Sequence, residues 1–239
     1  MTTLIRGELI KATTTRTIFA YGAMAVALAV AQVLVSILPA WGDPMSLADK
    51  TEAIAGLPLL VLLLGLVGGA GEFRHRTAAP ATLVAGRDRG SVLLARAGAY
   101  AAAAVGVAAL TTAVTLAVGL PLLAHRPGPD VGAGDVALVA GGTLVAAALS
   151  AALGVALGAL VRNQVVAVPG TLVVIFVVLP LVGVISPTAL DMTPFGAAQG
   201  VAGAGLETLS RGAAGVVLVG WTVAALIAAI VTERRRDIA

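Results

Sequence analysis

The chain has 239 residues, of which 59% are hydrophobic and 11% charged, with a formal net charge of +3. An ordinary soluble domain is about a quarter charged, so this much apolar surface needs a bilayer as part of its solvent. The sequence has no cysteine, which excludes disulfides and thiolate metal sites, and its two histidines, His75 and His125, lie in different connections without ligand spacing. Its positive charges are segregated by loop rather than gathered on one face, which gives no footprint for nucleic acid.

Residues 1–17 place Ile5, Leu9 and Ala12 on one helical face, with Arg6, Glu8, Lys11 and Arg16 elsewhere. This pattern predicts a short amphipathic helix in the membrane interface, with a frayed basic terminus as the alternative. A secretory signal is disfavoured, because the apolar run after Arg16 is too long and no A-x-A site follows it. Residues 18–38 are uncharged and long enough to cross the hydrocarbon; Pro39–Pro44 ends the run, with Trp41 at interfacial height. A mildly acidic loop with Asp43, Asp49, Lys50 and Glu52 leads to a second span over 53–71. Its Gly65 and Gly69 are spaced for close helix packing, or else mark looseness at a helix end.

The densest charge cluster follows. Five of the fifteen Lys and Arg residues, Arg74, Arg76, Arg87, Arg89 and Arg96, fall between positions 74 and 96, beside Glu72 and Asp88. An unpaired charge at the bilayer centre costs roughly 3 kcal/mol or more, so 72–96 is predicted to be a water-exposed connection. A third span over 97–122 ends at Pro121, and a fourth over 136–161 carries Gly154 and Gly158 on one face. Arg162–Gln164 form a tight hairpin into a fifth span over 165–185, where Pro180 is expected to kink or end the helix. Residues 186–212 predict one or two short helices dipping into the outer leaflet, as either an exit path or an interfacial cap. The sixth span covers 213–231 and is followed by Arg234, Arg235 and Arg236.

Six crossings with the N-terminus inside put twelve of the basic residues on the cytoplasmic side and leave Lys50, Arg126 and Arg211 outside. Both termini are thus expected in the cytoplasm, with Arg6, Lys11, Arg16, Arg162, Arg234, Arg235 and Arg236 as topological anchors. The surplus of Arg over Lys, with abundant Ala, Gly and Val, fits a GC-rich bacterial genome and hence a bacterial plasma membrane. No acidic residue is predicted at depth in a span, which weighs against an ion-coupled carrier. Polar residues such as Gln32, Ser36, Thr111, Thr112, Thr115 and Ser150 remain available for a substrate, although Ser and Thr there more often bond their own backbone. There is no P-loop and no credible nucleophile–base pair, so the chain is expected to be no enzyme and to hold no cofactor.

Three stretches carry a family resemblance: Arg6–Lys11 with Thr14–Thr17, then Gly71–Thr77 with Arg87, Arg89 and Arg96, and finally Arg234–Asp237. With six spans in about this length, the chain resembles the permease subunits of ABC-2-type transporters, particularly actinobacterial ones, over essentially its whole length. The resemblance implies an all-α integral membrane protein with an N-terminal interfacial helix over 1–17 and a six-helix domain over 18–239. It implies that 72–96 holds a coupling helix, with Glu72, Phe73, Arg74 and Thr77 fixing the loop at the end of span two. Arg87 and Arg89 would face an ATPase or lipid headgroups; for these two, a plain solvated anchor is the competing reading. Pro80 fits the first turn of such a coupling helix. The implied partners are two copies of a separate ABC ATPase, a second permease copy or a related permease, and membrane lipids, with no nucleic acid. The implied activity is ATP-driven export of an amphipathic or hydrophobic substrate. Rival expectations are an ion-coupled secondary transporter and a non-transporting accessory or immunity protein.

Overall fold

The computed structural model describes residues 2–14, 16–39, 42–74, 89–204 and 208–235, with side chains left out at 2, 3, 16, 17 and 72–74. Among these residues every regular element is helical. Such a chain keeps each backbone N–H bonded within its own segment, as hydrocarbon demands. The elements are α1 (Thr2–Thr14), α2 (Arg16–Ile37), α3 (Leu47–Ala53), α4 (Pro58–Arg74), α5 (Arg89–Ala124) and α6 (Ala133–Val161). They continue as α7 (Gln164–Val173), a π-helical turn (Val174–Val178), α8 (Leu179–Ile185), α9 (Pro187–Asp191), α10 (Pro194–Ala202) and α11 (Arg211–Arg235).

Among the described residues six stretches are long and apolar enough to cross a membrane: Ile18–Ile37, Leu47–Gly71, Arg89–Ala124, Ala133–Val161, Gln164–Ile185 and Arg211–Arg235. Polar contacts between helix ends gather at two opposite ends of the bundle. At one end Glu8 of α1 meets Arg96 near the start of α5, and Arg162 at the end of α6 meets Glu233 near the end of α11. At the other end Lys50 and Arg126 bond carbonyls where α2 and α5 finish.

α6 is the hub, touching α4, α5, α10 and α11. Its buried residues fall on several faces, as they do on a helix enclosed by others. Against α4 the approach is backbone to backbone: a Cβ at Gly65 or Gly69 would strike the Ala151 or Val155 carbonyl, and one at Gly154 or Gly158 the Leu62 or Leu66 carbonyl. The two glycine pairs thus face each other, as small-xxx-small spacing allows.

Several expectations need revision. The second span is broken: α3 ends at Ala53, residues 54–57 are not helical, and α4 begins at Pro58. The third helix starts at Arg89, so 89–96 belong to a helix and not to the loop. Lys50 and Arg126, expected in exposed loops, are buried at 1% and 3% exposure. Arg126 Nη1 donates at 3.4 Å to Ile37 O, a carbonyl that the C-terminus of α2 leaves without an N–H partner, and Lys50 Nζ donates at 3.0 Å to Arg126 O, two residues past the end of α5. Pro180 does not end the fifth helix. The π turn before it, with Leu179 N–H bonded to Val174 O, takes up the missing register and α8 runs on to Ile185. Trp41 lies outside the described residues.

Residues 187–202 form two short helices, and they reach deep. The Trp221 indole donates to Met192 O at 3.0 Å, and Trp221 lies ten residues, about 15 Å, along α11 from Arg211. From there α10 turns back and buries Ala197, Ala198 and Val201 against Ala146 of α6 and Leu218 of α11. Asp191, 5% exposed, is held by the Thr208 hydroxyl and N–H at 2.6 and 3.0 Å.

Candidate functional site

The charged end gathers what the sequence leaves scattered. Arg96 Nε lies 3.2 Å from Glu8 Oε2, with side-chain exposures of 6% and 14%. α1 is therefore seated on α5 through a shielded ion pair. Its inward face is Leu4, Glu8, Leu9 and Ala12; Leu9 and Ala12 were expected there, whereas Ile5, expected on that face, is exposed. Arg162 caps α6 in the left-handed region (φ 57°) and places Nη2 2.8 Å from Glu233 Oε1. Arg89 Nη1 donates to Glu233 O at 3.2 Å. Glu233 thus joins the start of α5, the end of α6 and the last turn of α11. A shielded pair of this kind is costly to break, because removing one partner strands a charge, at about 3–5 kcal/mol when fully buried.

The predicted coupling residues divide into two groups. Glu72, Phe73 and Arg74 form the last turn of α4, their side chains outside the described residues, and Thr77 and Arg87 lie wholly outside them. Arg89 is described: it is half-buried and donates to Glu233 O, which ties α5 to α11. Of the expected anchors, Arg6, Lys11, Arg234 and Arg235 are exposed, Lys11 within 4.0 Å of Glu8. Arg162 is ion-paired, the Arg16 side chain is not described, and Arg236 is outside. Glu8 and Glu233 were not singled out as site residues. The signal was available, since they are among the few acids in segments otherwise dominated by Arg.

A second site was not foreseen. The break at 54–57 is secured by Gly56 N–H donating to Thr143 Oγ1 at 3.1 Å and by Gln32 Nε2 reaching Glu52 O and Ala55 O at 3.4 and 3.5 Å. Thr143 is ten residues, about 15 Å, along α6 from Ala133, well inside the bundle. Beside the break lies a cavity of about 20 Å³, large enough for water. Its polar side chains are Thr111, Thr112, Thr115 and Thr143; the rest of its lining is Ala, Gly, Val, Leu, Ile and Pro. The first turn of α4 forms one wall, and among the described residues no titratable side chain lines it. Sequence held a hint in Gly56-Leu57-Pro58, since a residue before proline is pushed out of the α region.

No protein-family model matches the chain, and no curated protein does either. The six apolar stretches among the described residues, several with exposed Val, Leu, Ile and Phe side chains, fit a multi-pass helical membrane protein.

Proposed function

We propose that the chain is the permease subunit of an ABC-2-type transporter in a bacterial plasma membrane, working with a separate ATPase. The charged end is cytoplasmic by the positive-inside bias, with both termini on that side. The observation that carries this reading is how the charged connection is mounted. It leaves from the last turn of α4, which is locked to the hub helix α6 by facing glycines, and returns into α5, which is fastened to α1 and α11 by Glu8–Arg96 and Arg89–Glu233. A push on that connection moves rigid helices rather than a slack loop. Two ATPase subunits closing on ATP bias one helix arrangement by touching the connection differently in each state. A second permease copy, or a related permease, completes the path. Arg6 and Lys11, exposed on α1, lie against lipid headgroups, which makes α1 the interfacial helix. The cargo is amphipathic or hydrophobic and is exported, and ATP hydrolysis belongs to the partner.

Purification of the tagged chain from native membranes in mild detergent tests this. Recovery of a P-loop ATPase with the chain is the expected result; repeated recovery of the chain alone overturns it and points to an accessory or immunity role. Replacing Glu72 and Arg74 together by Ala lowers ATPase recovery at unchanged membrane insertion. One observation favours a second reading, an ion-coupled carrier: span two is a discontinuous helix, a feature of ion and substrate sites in such carriers. The uncharged lining of its cavity weighs against that reading.

A further inference from the structure

We infer that the basic end of the bundle, with α1 at its edge, is a binding surface for the headgroups of anionic phospholipids, and that the opposite end is not. Charge sorting in the fold carries this. Among the described residues, the exposed charges of the basic end are all cationic: Arg6 and Lys11 on α1, Arg234 and Arg235 at the end of α11. The acids that could mask them are turned inward. Glu8 meets Arg96 and Glu233 meets Arg162, each carboxylate at 14% side-chain exposure. Lys11 shares Glu8 at 4.0 Å, yet its side chain stays 48% exposed. The opposite end is sorted the other way. Its exposed charges among the described residues, Asp43, Asp49, Glu52 and Asp130, are all acidic, while Lys50 and Arg126 are buried against backbone carbonyls. Counting basic residues loop by loop assigns Lys50 and Arg126 to that surface; folding removes them from it.

The chemistry of α1 favours a lipid surface over an acidic protein. It exposes Ile5 and Ile10, at 36% and 53%, among its cations. Arg6 and Ile10 are four residues apart and share a face, and the boundary between headgroups and acyl chains takes both a cation and an apolar side chain. The Thr13 and Thr14 hydroxyls donate to Leu9 O and Ile10 O at 2.8 and 2.7 Å, so cations and not hydroxyls are left to meet phosphate. α2 begins two residues after α1 ends, which holds α1 at the height where span one enters the bilayer. Only a lipid of net negative charge adds attraction over the Debye length, about 8 Å at physiological ionic strength, and each Lys or Arg near such a surface strengthens binding about fivefold. This rests on the placement of α1 at the headgroups and not on an ATPase partner.

The chain has no cysteine, so Ile10→Cys gives the full-length protein a single thiol for a bimane label. The labelled protein is reconstituted into phosphatidylcholine vesicles that carry, at equal mole fraction, either phosphatidylglycerol or phosphatidylcholine with a doxyl quencher near the headgroup. The reference is Leu138→Cys, 63% exposed and close to the start of α6 at the acidic end. At position 10 the expected result is quenching at least about twofold stronger by phosphatidylglycerol. That preference is lost in about 1 M salt, where the Debye length is about 3 Å, and is lowered by Arg6→Gln with Lys11→Gln. Position 138 is expected to show no preference. Equal quenching by the two lipids at position 10 overturns the inference and leaves the surface to an acidic protein, with α1 still at the headgroups. No quenching by either lipid overturns that placement as well. A preference unchanged by salt, unchanged by the two Gln substitutions, or shared by position 138 also overturns the inference.

Discussion

The second and fifth spans are both strongly apolar, the fifth the most so of the six, yet they occupy opposite surroundings. In the most apolar stretch of Leu47–Gly71, 78% is buried inside the bundle; in that of Gln164–Ile185 only 17% is. Hydropathy tells a chain to leave water and says nothing about whether lipid or protein receives it. Shape makes that choice. α4 and α6 present glycines that let backbones touch, and close packing is what drives association once lipid and protein are equally apolar. The fifth span offers β-branched and aromatic side chains, with Val177, Leu181, Val184 and Ile185 all exposed. It also holds the π turn, where a looser helix costs little packing.

Substitutions can break this contrast, and the largest effect falls on the glycine seam. Gly154→Leu drives a side chain into the Leu62 carbonyl and the Leu66 N–H; the expected cost is about 3 kcal/mol or more, read as loss of the monodisperse peak after detergent extraction. Next is Glu8→Ala, which removes the carboxylate beside Arg96 at 6% side-chain exposure and is expected to cost about 1.5–3 kcal/mol. Adding Arg96→Leu to it should recover part of the lost unfolding midpoint, because the shielded charge is then gone. Thr143→Val removes the acceptor for Gly56 N–H and is expected to cost about 1–2 kcal/mol in a denaturant titration. The smallest effect is Val177→Ala on the fifth span, exposed at 53%, where a change below about 0.5 kcal/mol is expected. A Val177→Ala effect as large as that of Gly154→Leu would mean that this face is packed against protein, for instance a second copy of the chain.

Much of the architecture was legible because membrane spans are written in run length. Ile18–Ile37 and Gln164–Ile185 match the predicted 18–38 and 165–185 closely, since charge and turn residues bracket them. The glycine pairs were legible too, from spacing alone. The break in span two was not: Ile54, Ala55, Gly56 and Leu57 are as apolar as a helix interior, and only Pro58 marks the restart. The same limit hid the start of α5, because Arg89 and Arg96 read as loop charges until their partners are known. Arg96 pairs with Glu8, 88 residues earlier in the chain. At the candidate site, Thr111, Thr112 and Thr115 were visible as polar residues in a span, whereas Thr143 was not singled out, because nothing local says that its hydroxyl accepts from Gly56 on another span.

Sequence by itself determined the solvent, the number of apolar runs and the ends at which positive charge collects, because these depend on composition along the chain. Which helix became the hub, that span two is interrupted and held at Gly56 by Thr143, and that two acids bind the charged ends together were decided by tertiary structure. Those outcomes depend on which surfaces meet, and a one-dimensional pattern of apolar residues is the same for a helix facing lipid as for one facing protein.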